Sequence, residues 1–252
     1  FLEIGTHPNG ARVPFQFRRK PQKYQTPRPP RYDSTAESRL KGFVDAESHK
    51  MQTIVTGSTR LDIAKKVGDS LAGRFFAYRL HPIDVKEAVR HFGLGAQESL
   101  ERIMRIDGFP EPFLLDDVGK YRRWKRSHLD VILRQDLIQL ETVEQLSQIE
   151  ALVELLRSRV GSTVAYSNLA QDLGCAPKSV KRWIQLLENL YVIFRITPYY
   201  HKLSRAILKA PKFYFFDCGH VLGDDGARFE NLVALSLKKE IEFRQDAEGA
   251  DL

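Results

Sequence analysis

With 252 residues, the chain is long enough for two or three modules with real cores. Its 42% hydrophobic share fits a globular protein, and the absence of an apolar run near the roughly 20 residues of a membrane span argues against a membrane partner. The net charge of +7 suggests nucleic acid until it is located: residues 1–42 hold nine Lys/Arg against three acids, six of the seven charges, so the basicity belongs to one segment and not to the folded body.

Residues 1–39 hold six of the twelve prolines and no helical or strand period. Such a composition cannot bury enough apolar surface to offset chain entropy, so a disordered or mistranslated tail is expected, with a basic arm for nucleic acid as the alternative. No apolar stretch follows the early charges, so no secretory signal is read there. The two cysteines, Cys175 and Cys218, lie in different modules and read as free thiols in a reducing, cytoplasmic compartment.

Order is expected from Leu40. LKGFVDAESHK reads as a short helix, Gln52–Thr56 as a buried strand ending in Thr56, Gly57 and Ser58, and Leu61–Val67 as a helix with Asp62 in its first turn. Phe75–Leu80 reads as a strand stopped by Pro82, and Asp84–Phe92 as a helix with Asp84 as its N-cap. Gln97–Ile106 is the next helix, followed by a turn over Asp107–Pro112 and a long helix from about Val118 to about Leu140. Val143, Leu146, Ile149, Leu152, Val153 and Leu156 recur at helical spacing and predict the core face of a helical bundle.

Residues 161–200 predict a winged helix-turn-helix. TVAYSNLAQDLG reads as a helix stopped at Gly174, with Leu169, Ala170 and Leu173 facing inward. Pro177 opens a second helix whose inward face is Val180, Ile184, Leu187 and Leu190, and Val192–Thr197 supplies a wing strand. Residues 203–252 read as a helix, the strand Lys212–Phe216, a turn around Asp217–Gly226 and the helix Arg228–Ile241, and look like an incomplete module.

The stretches LKGFVD, IVTGSTRLD, GDSLAGRFFAYRLHP, DGFPEPF, RQDL at Arg134–Leu137, SVKRWIQLLENLYVIFRI, KFYFFDCG and GARFENLVALSL follow one another over roughly residues 40–245. In wording and order they resemble a group of prokaryotic AAA-type ATP-binding proteins in which the ATPase core is followed by a domain of unassigned function. The resemblance implies an α/β plus α fold. Residues 40–92 would be the end of an AAA-type α/β core, 93–160 a helical lid, 161–200 the winged helix, and 201–252 the truncated start of a nuclease-like α/β domain. It implies ATP and Mg²⁺ as cofactors of the intact protein, and homo-oligomers are common among AAA-type cores.

Under that resemblance Thr56 or Ser58 would be the polar sensor at the strand tip, and Arg74 a contact to nucleotide or a neighbouring subunit. An arginine suits this because its planar fork bonds phosphate bidentately. The competing reading is a strand end, a helix cap and a surface ion pair. No G-x-x-x-x-G-K-[ST] loop and no strand ending in paired acids occurs in the sequence, so the chain as written is expected not to hydrolyse ATP. A second departure is Asp107-Gly108, where the resemblance leads one to expect a glycine pair before Phe109.

DNA binding is the alternative function. Lys178, Ser179, Lys181 and Arg182 lie early on the second helix of the helix-turn-helix, where a recognition helix meets base edges. A lid or a protein-docking role competes with it. Asp217, Asp224, Asp225 and Glu230, with His220 among them, could hold Mg²⁺, but turn acids and a helix cap are the simpler reading. The remaining histidines have no metal-ligand spacing, and no metal site is expected. Trp124 and Trp183 fall within helical stripes and read as core or interface.

Overall fold

The computed structural model describes residues 76, 78–133, 143–199 and 209–250. All of them belong to the second of the two compact units into which the chain divides, Ile54–Leu252. The described part is mostly helical with one small antiparallel sheet. The expected strand at Gln52–Thr56, the helices at Leu40–Lys50 and Leu61–Val67, the RQDL stretch and the helix after Tyr200 lie outside the described residues. No described helix is long and apolar enough to cross a membrane.

Four helices come first. Helix α1, Val85–Phe92, starts as expected at Asp84: Asp84 Oδ1 accepts the Glu87 N–H at 2.8 Å, and Glu87 Oε2 accepts the Asp84 N–H at 3.3 Å. Helix α2 is Ala96–Ile106 and α4 is Val118–Val131, whose cap Asp117 accepts from the Lys120 N–H at 2.9 Å. Between them lies α3, Pro110–Leu115, where the sequence suggests only a turn. The prolines hide this helix from a propensity reading. Both stand in its first turn, where a backbone N–H has no intrahelical partner to lose. Ala88, Ile103, Phe113, Cys218 and Leu232 form the core beneath these helices.

The next module runs helix, bridge, helix, helix, strand, strand. Helix α5 is Val143–Arg157, α6 is Tyr166–Asp172 and α7 is Pro177–Asn189, with Pro177 at its first position. Gly174, at φ +61°, takes the left-handed turn between α6 and α7. Strand β1, Ile193–Ile196, pairs antiparallel with β2, Lys212–Phe215, in the register Ile193 opposite Phe215 and Phe194 opposite Tyr214. Thr163 makes a single antiparallel bridge to Lys212, on the side of β2 away from β1. The apolar positions read from the sequence meet here: Leu146, Ile149, Leu152, Val153, Leu156, Leu169, Ala170, Val180, Ile184, Leu187 and Leu190 are all buried in one cluster together with Trp183.

The ribbon is covered on both faces. Ile193, Phe213 and Phe215 point into the helical cluster, while Phe194, Tyr214 and Phe216 pack on Ala234 and Leu235 of α8. Helix α8, Asp225–Glu248, is ten residues longer than the expected Arg228–Ile241, three at its start and seven at its end. Its cap Asp224 accepts from the Ala227 N–H at 2.9 Å. The added end is polar, so no apolar period marks it; it is held instead by Arg244 on Glu240 and by Arg79, which reaches Glu242 at 2.6 Å and Asp246 at 2.5 Å.

The expected strand Phe75–Leu80 is not formed by its described residues: Phe76 and 78–80 join no sheet. The Arg79 N–H is given to the Asp246 side chain at 3.0 Å and not to a neighbouring strand. Phe76, Tyr78 and Leu80 stay exposed, while Arg79 and His81 turn towards α8.

Candidate functional site

Helix α7 carries four of the residues singled out for nucleic acid. Its start is set by Pro177, and its inward face by Val180, Trp183, Ile184 and Leu187. That face leaves Lys178, Lys181 and Arg182 exposed and Ser179 partly buried. No acid stands in its first turn, so the basic end of the surface coincides with the positive end of the helix dipole. Glu188 does not offset it: it is buried at the far end of the helix, with Oε1 3.3 Å from Arg195 Nε of β1. The Arg195 guanidinium also donates to the Tyr166 hydroxyl at 3.0 Å, tying α6, α7 and the ribbon together. Thr56, Ser58 and Arg74 lie outside the described residues.

A second polar site is not evident from the sequence. Asp107 ends α2, and Asp217 follows β2 just before a 3-10 turn, Cys218–His220; the two are 110 positions apart and both buried. The Asp107 carboxylate accepts from the Gly108 and Cys218 N–H groups. Asp217 Oδ1 accepts from the Tyr121 hydroxyl of α4 and from the Gly219 N–H, each at 2.7 Å. Lys125 Nζ donates to the Gly219 carbonyl at 2.8 Å, and Arg157 Nε to the His220 carbonyl at 2.8 Å. Asn231 of α8 closes the other side, accepting from the Phe215 N–H at 2.8 Å and donating to the Phe215 carbonyl at 2.9 Å.

Burial dominates the electrostatics. It pushes the Asp107 carboxyl well above its ordinary range, and the neighbouring Asp217 charge adds to this. The side-chain hydrogen bond between Asp107 and Asp217 acts in the same direction. Burial also raises the Cys218 thiol and the Tyr121 hydroxyl, lowers the Lys125 ammonium, and lowers His220 to about 4 against the opposing pull of Asp217. The His220 ring nitrogen Nε2 lies 3.6 Å from Asp217 Oδ2.

Two glycines make this closeness available. A Cβ on Gly219 would lie 1.7 Å from the Tyr121 hydroxyl, and one on Gly108 would lie 2.1 Å from the Ile83 carbonyl oxygen. The arrangement is a clasp that joins DGFPEPF to FFDCGH through Tyr121, with Asp107, Asp217 and His220 all buried in it. The other acids considered for Mg²⁺ are dispersed. Asp224 caps α8, and Glu230 accepts from the Tyr214 hydroxyl at 2.8 Å and pairs with Lys212. Among the described residues no group of three or more His, Cys, Asp or Glu side chains is arranged to hold a metal ion. Trp183 is core, whereas Trp124 stacks on His128 and donates to Glu111 at the edge of the clasp.

Two family patterns match the chain. The one described as "Domain of unknown function (DUF8612)" covers residues 97–222, which include both aspartates of the clasp, and the one described as "AAA domain" covers residues 31–89. "Uncharacterized protein Rv2008c" of Mycobacterium tuberculosis is 22% identical over 180 residues, 71% of this chain and 39% of its own length. "Uncharacterized protein MJ1544" of Methanocaldococcus jannaschii is 22% identical over 207 residues, 73% of this chain and 46% of its own length. The chain thus spans less than half the length of these relatives. No solved structure matches it.

Proposed function

The chain belongs to the DUF8612 family, with a match to an AAA domain ahead of it at residues 31–89, and from that premise we propose that it serves an ATP-dependent protein of the AAA class. The observation that carries this is the succession of the two matches, at 31–89 and 97–222, along one chain. In this reading the helices over 93–160 act as a lid, Thr56 or Ser58 serves as the polar sensor, and Arg74 contacts nucleotide or a neighbouring subunit. Phosphoryl transfer is mainly positioning and charge stabilisation, which is work a strand-tip hydroxyl and an arginine can do.

The test joins the chain to an upstream segment carrying a phosphate loop and an acidic Mg²⁺ strand. That protein should hydrolyse ATP, and Arg74→Ala should slow turnover by about a thousandfold, the low end for a charge-stabilising arginine. Unchanged turnover removes Arg74 from the site. No ATP binding with the loop in place overturns the reading.

A second reading is favoured by the α7 surface. The order helix, bridge, helix, helix and two strands supports reading this module as a winged helix, with α7 as its recognition helix. Duplex DNA is the partner its exposed Lys178, Lys181 and Arg182 suit, with Ser179 as an additional hydrogen-bonding group. The double variant Lys178→Ala, Arg182→Ala should weaken binding and flatten its salt dependence by about 0.9 for each phosphate no longer neutralised. Binding that ignores both changes removes α7 from the interface.

A further inference from the structure

The outer face of α4 carries Arg122, Arg123 and Arg126, all exposed. Most described arginines have a carboxylate partner: Arg79 on Glu242 and Asp246, Arg102 and Arg105 on Asp116, Arg157 on Glu154, Arg159 on Asp172, Arg195 on Glu188 and Arg244 on Glu240. Arg122, Arg123 and Arg126 make no hydrogen bond or ion pair to any described residue. With Ser127 and Asp130 they line an open cavity of about 500 Å³, three guanidinium groups against one carboxylate.

The placement works against the helix itself. Arg122 and Arg126 are four residues apart and Arg123 and Arg126 three, spacings at which like charges repel. Arg122 and Arg123 also fall in the first half of α4, nearer the positive end of its dipole. An anion on this face would offset both effects. The cavity is open, and the three groups span about 6 Å along the axis, more than a single small anion needs.

We propose that this face of α4 binds the phosphate backbone of a nucleic acid, as a second contact beside α7. The proposal rests on the nucleic-acid reading for the class of its partner. A guanidinium fork meets phosphate bidentately, and Ser127 adds a hydroxyl donor. A membrane surface fits less well, because an interfacial helix needs an apolar face turned to lipid. Here Tyr121 is buried on the inner side and Leu129 packs into the core shared with α7. A protein partner would be expected to find aromatic or apolar anchors at the centre of the patch, and the cavity lining has none. Because Leu129 and Ile132 pack against the cluster that holds α7, both basic surfaces ride on one core.

The experiment is fluorescence anisotropy of a short labelled duplex with the full chain, between about 50 and 200 mM salt. The variants are Arg122→Gln, Arg123→Gln, Arg126→Gln combined, and the α7 double variant. The nine Lys/Arg of residues 1–42 give a background common to all of them. The α4 variant should lower the salt slope by up to about 2.7, at 0.9 for each phosphate, and should melt no lower than the parent because repulsion is relieved. An unchanged slope in the α4 variant, with binding abolished in the α7 variant, overturns this proposal and leaves the α7 reading standing. No duplex binding by the parent chain overturns both. Binding to phosphatidylserine vesicles as tight as to the duplex overturns it in favour of a lipid surface.

Discussion

Asp107 combines two features that seldom occur together: φ +68° with ψ 174°, and a carboxyl group removed from water. The backbone region is one that glycine adopts at no steric cost and other residues at roughly 1–3 kcal/mol. That gives the departure in the sequence, an aspartate where the resemblance calls for a glycine, a physical meaning. The side chain answers the Cys218 N–H, and leaving a buried N–H unpaired costs about 1–3 kcal/mol. The two effects separate in two variants. Asp107→Ala removes the acceptor and keeps the strain, whereas Asp107→Gly removes the acceptor and relieves it. Urea unfolding should therefore rank Asp107→Ala below Asp107→Gly by about 1–3 kcal/mol. Equal stabilities would show that the backbone at 107 is relaxed. The local text DGFP gives no hint of this role, because its partner Asp217 is 110 residues away and brought near only by the packing of α2, α4 and α8.

At the scale of elements, what is legible follows the driving force of each element. Helices α5, α6 and α7 bury one apolar stripe each, and their inward residues, from Leu146 to Leu190, are readable from spacing alone. Asp84 and Pro177 mark helix starts because capping and the fixed proline φ act within one turn. Three elements escape the sequence where stabilisation is not periodic. Helix α3 looks like a turn because its prolines fall where no N–H is needed. The end of α8 is held by ion pairs, including one to Arg79 from 163 residues earlier. The described residues of Phe75–Leu80 have the alternation of a strand, but Arg79 gives its N–H to α8. The candidate basic faces divide in the same way. Lys178, Ser179, Lys181 and Arg182 stand out because a helix-turn-helix tells which end to inspect. Arg122, Arg123 and Arg126 do not, because a charge run on a helix is usually a solvated face; what sets them apart is their grouping around one cavity while most described arginines have a carboxylate partner.

At the scale of the whole molecule, buried titratable groups shape its stability against pH. The folded-state value of His220, about 4, lies below its ordinary 6.5, so the folded protein binds fewer protons than the unfolded chain between these values. Its contribution is present above pH 6.5 and lost as pH falls towards 4, on the order of 3 kcal/mol at most. Asp107 has the opposite sign: its raised value makes the folded state hold the extra proton, so its contribution is present below the ordinary carboxyl value of 3.8 and lost as pH rises through the raised one. Denaturant unfolding from pH 4 to pH 7 should show His220→Gln flattening the acid limb of the parent curve; an unaltered limb would mean that His220 titrates alike in both states. One feature acts beyond the single molecule. A strand at the border of a sheet offers unpaired N–H and C=O groups to any other extended chain. Asn231 gives the Phe215 position of β2 both partners from a side chain, in the same two-bond exchange a third strand would make. The helix thereby acts as a stopper on one side of the ribbon: at Phe215 the place a recruited strand would take on β2 is already filled from within.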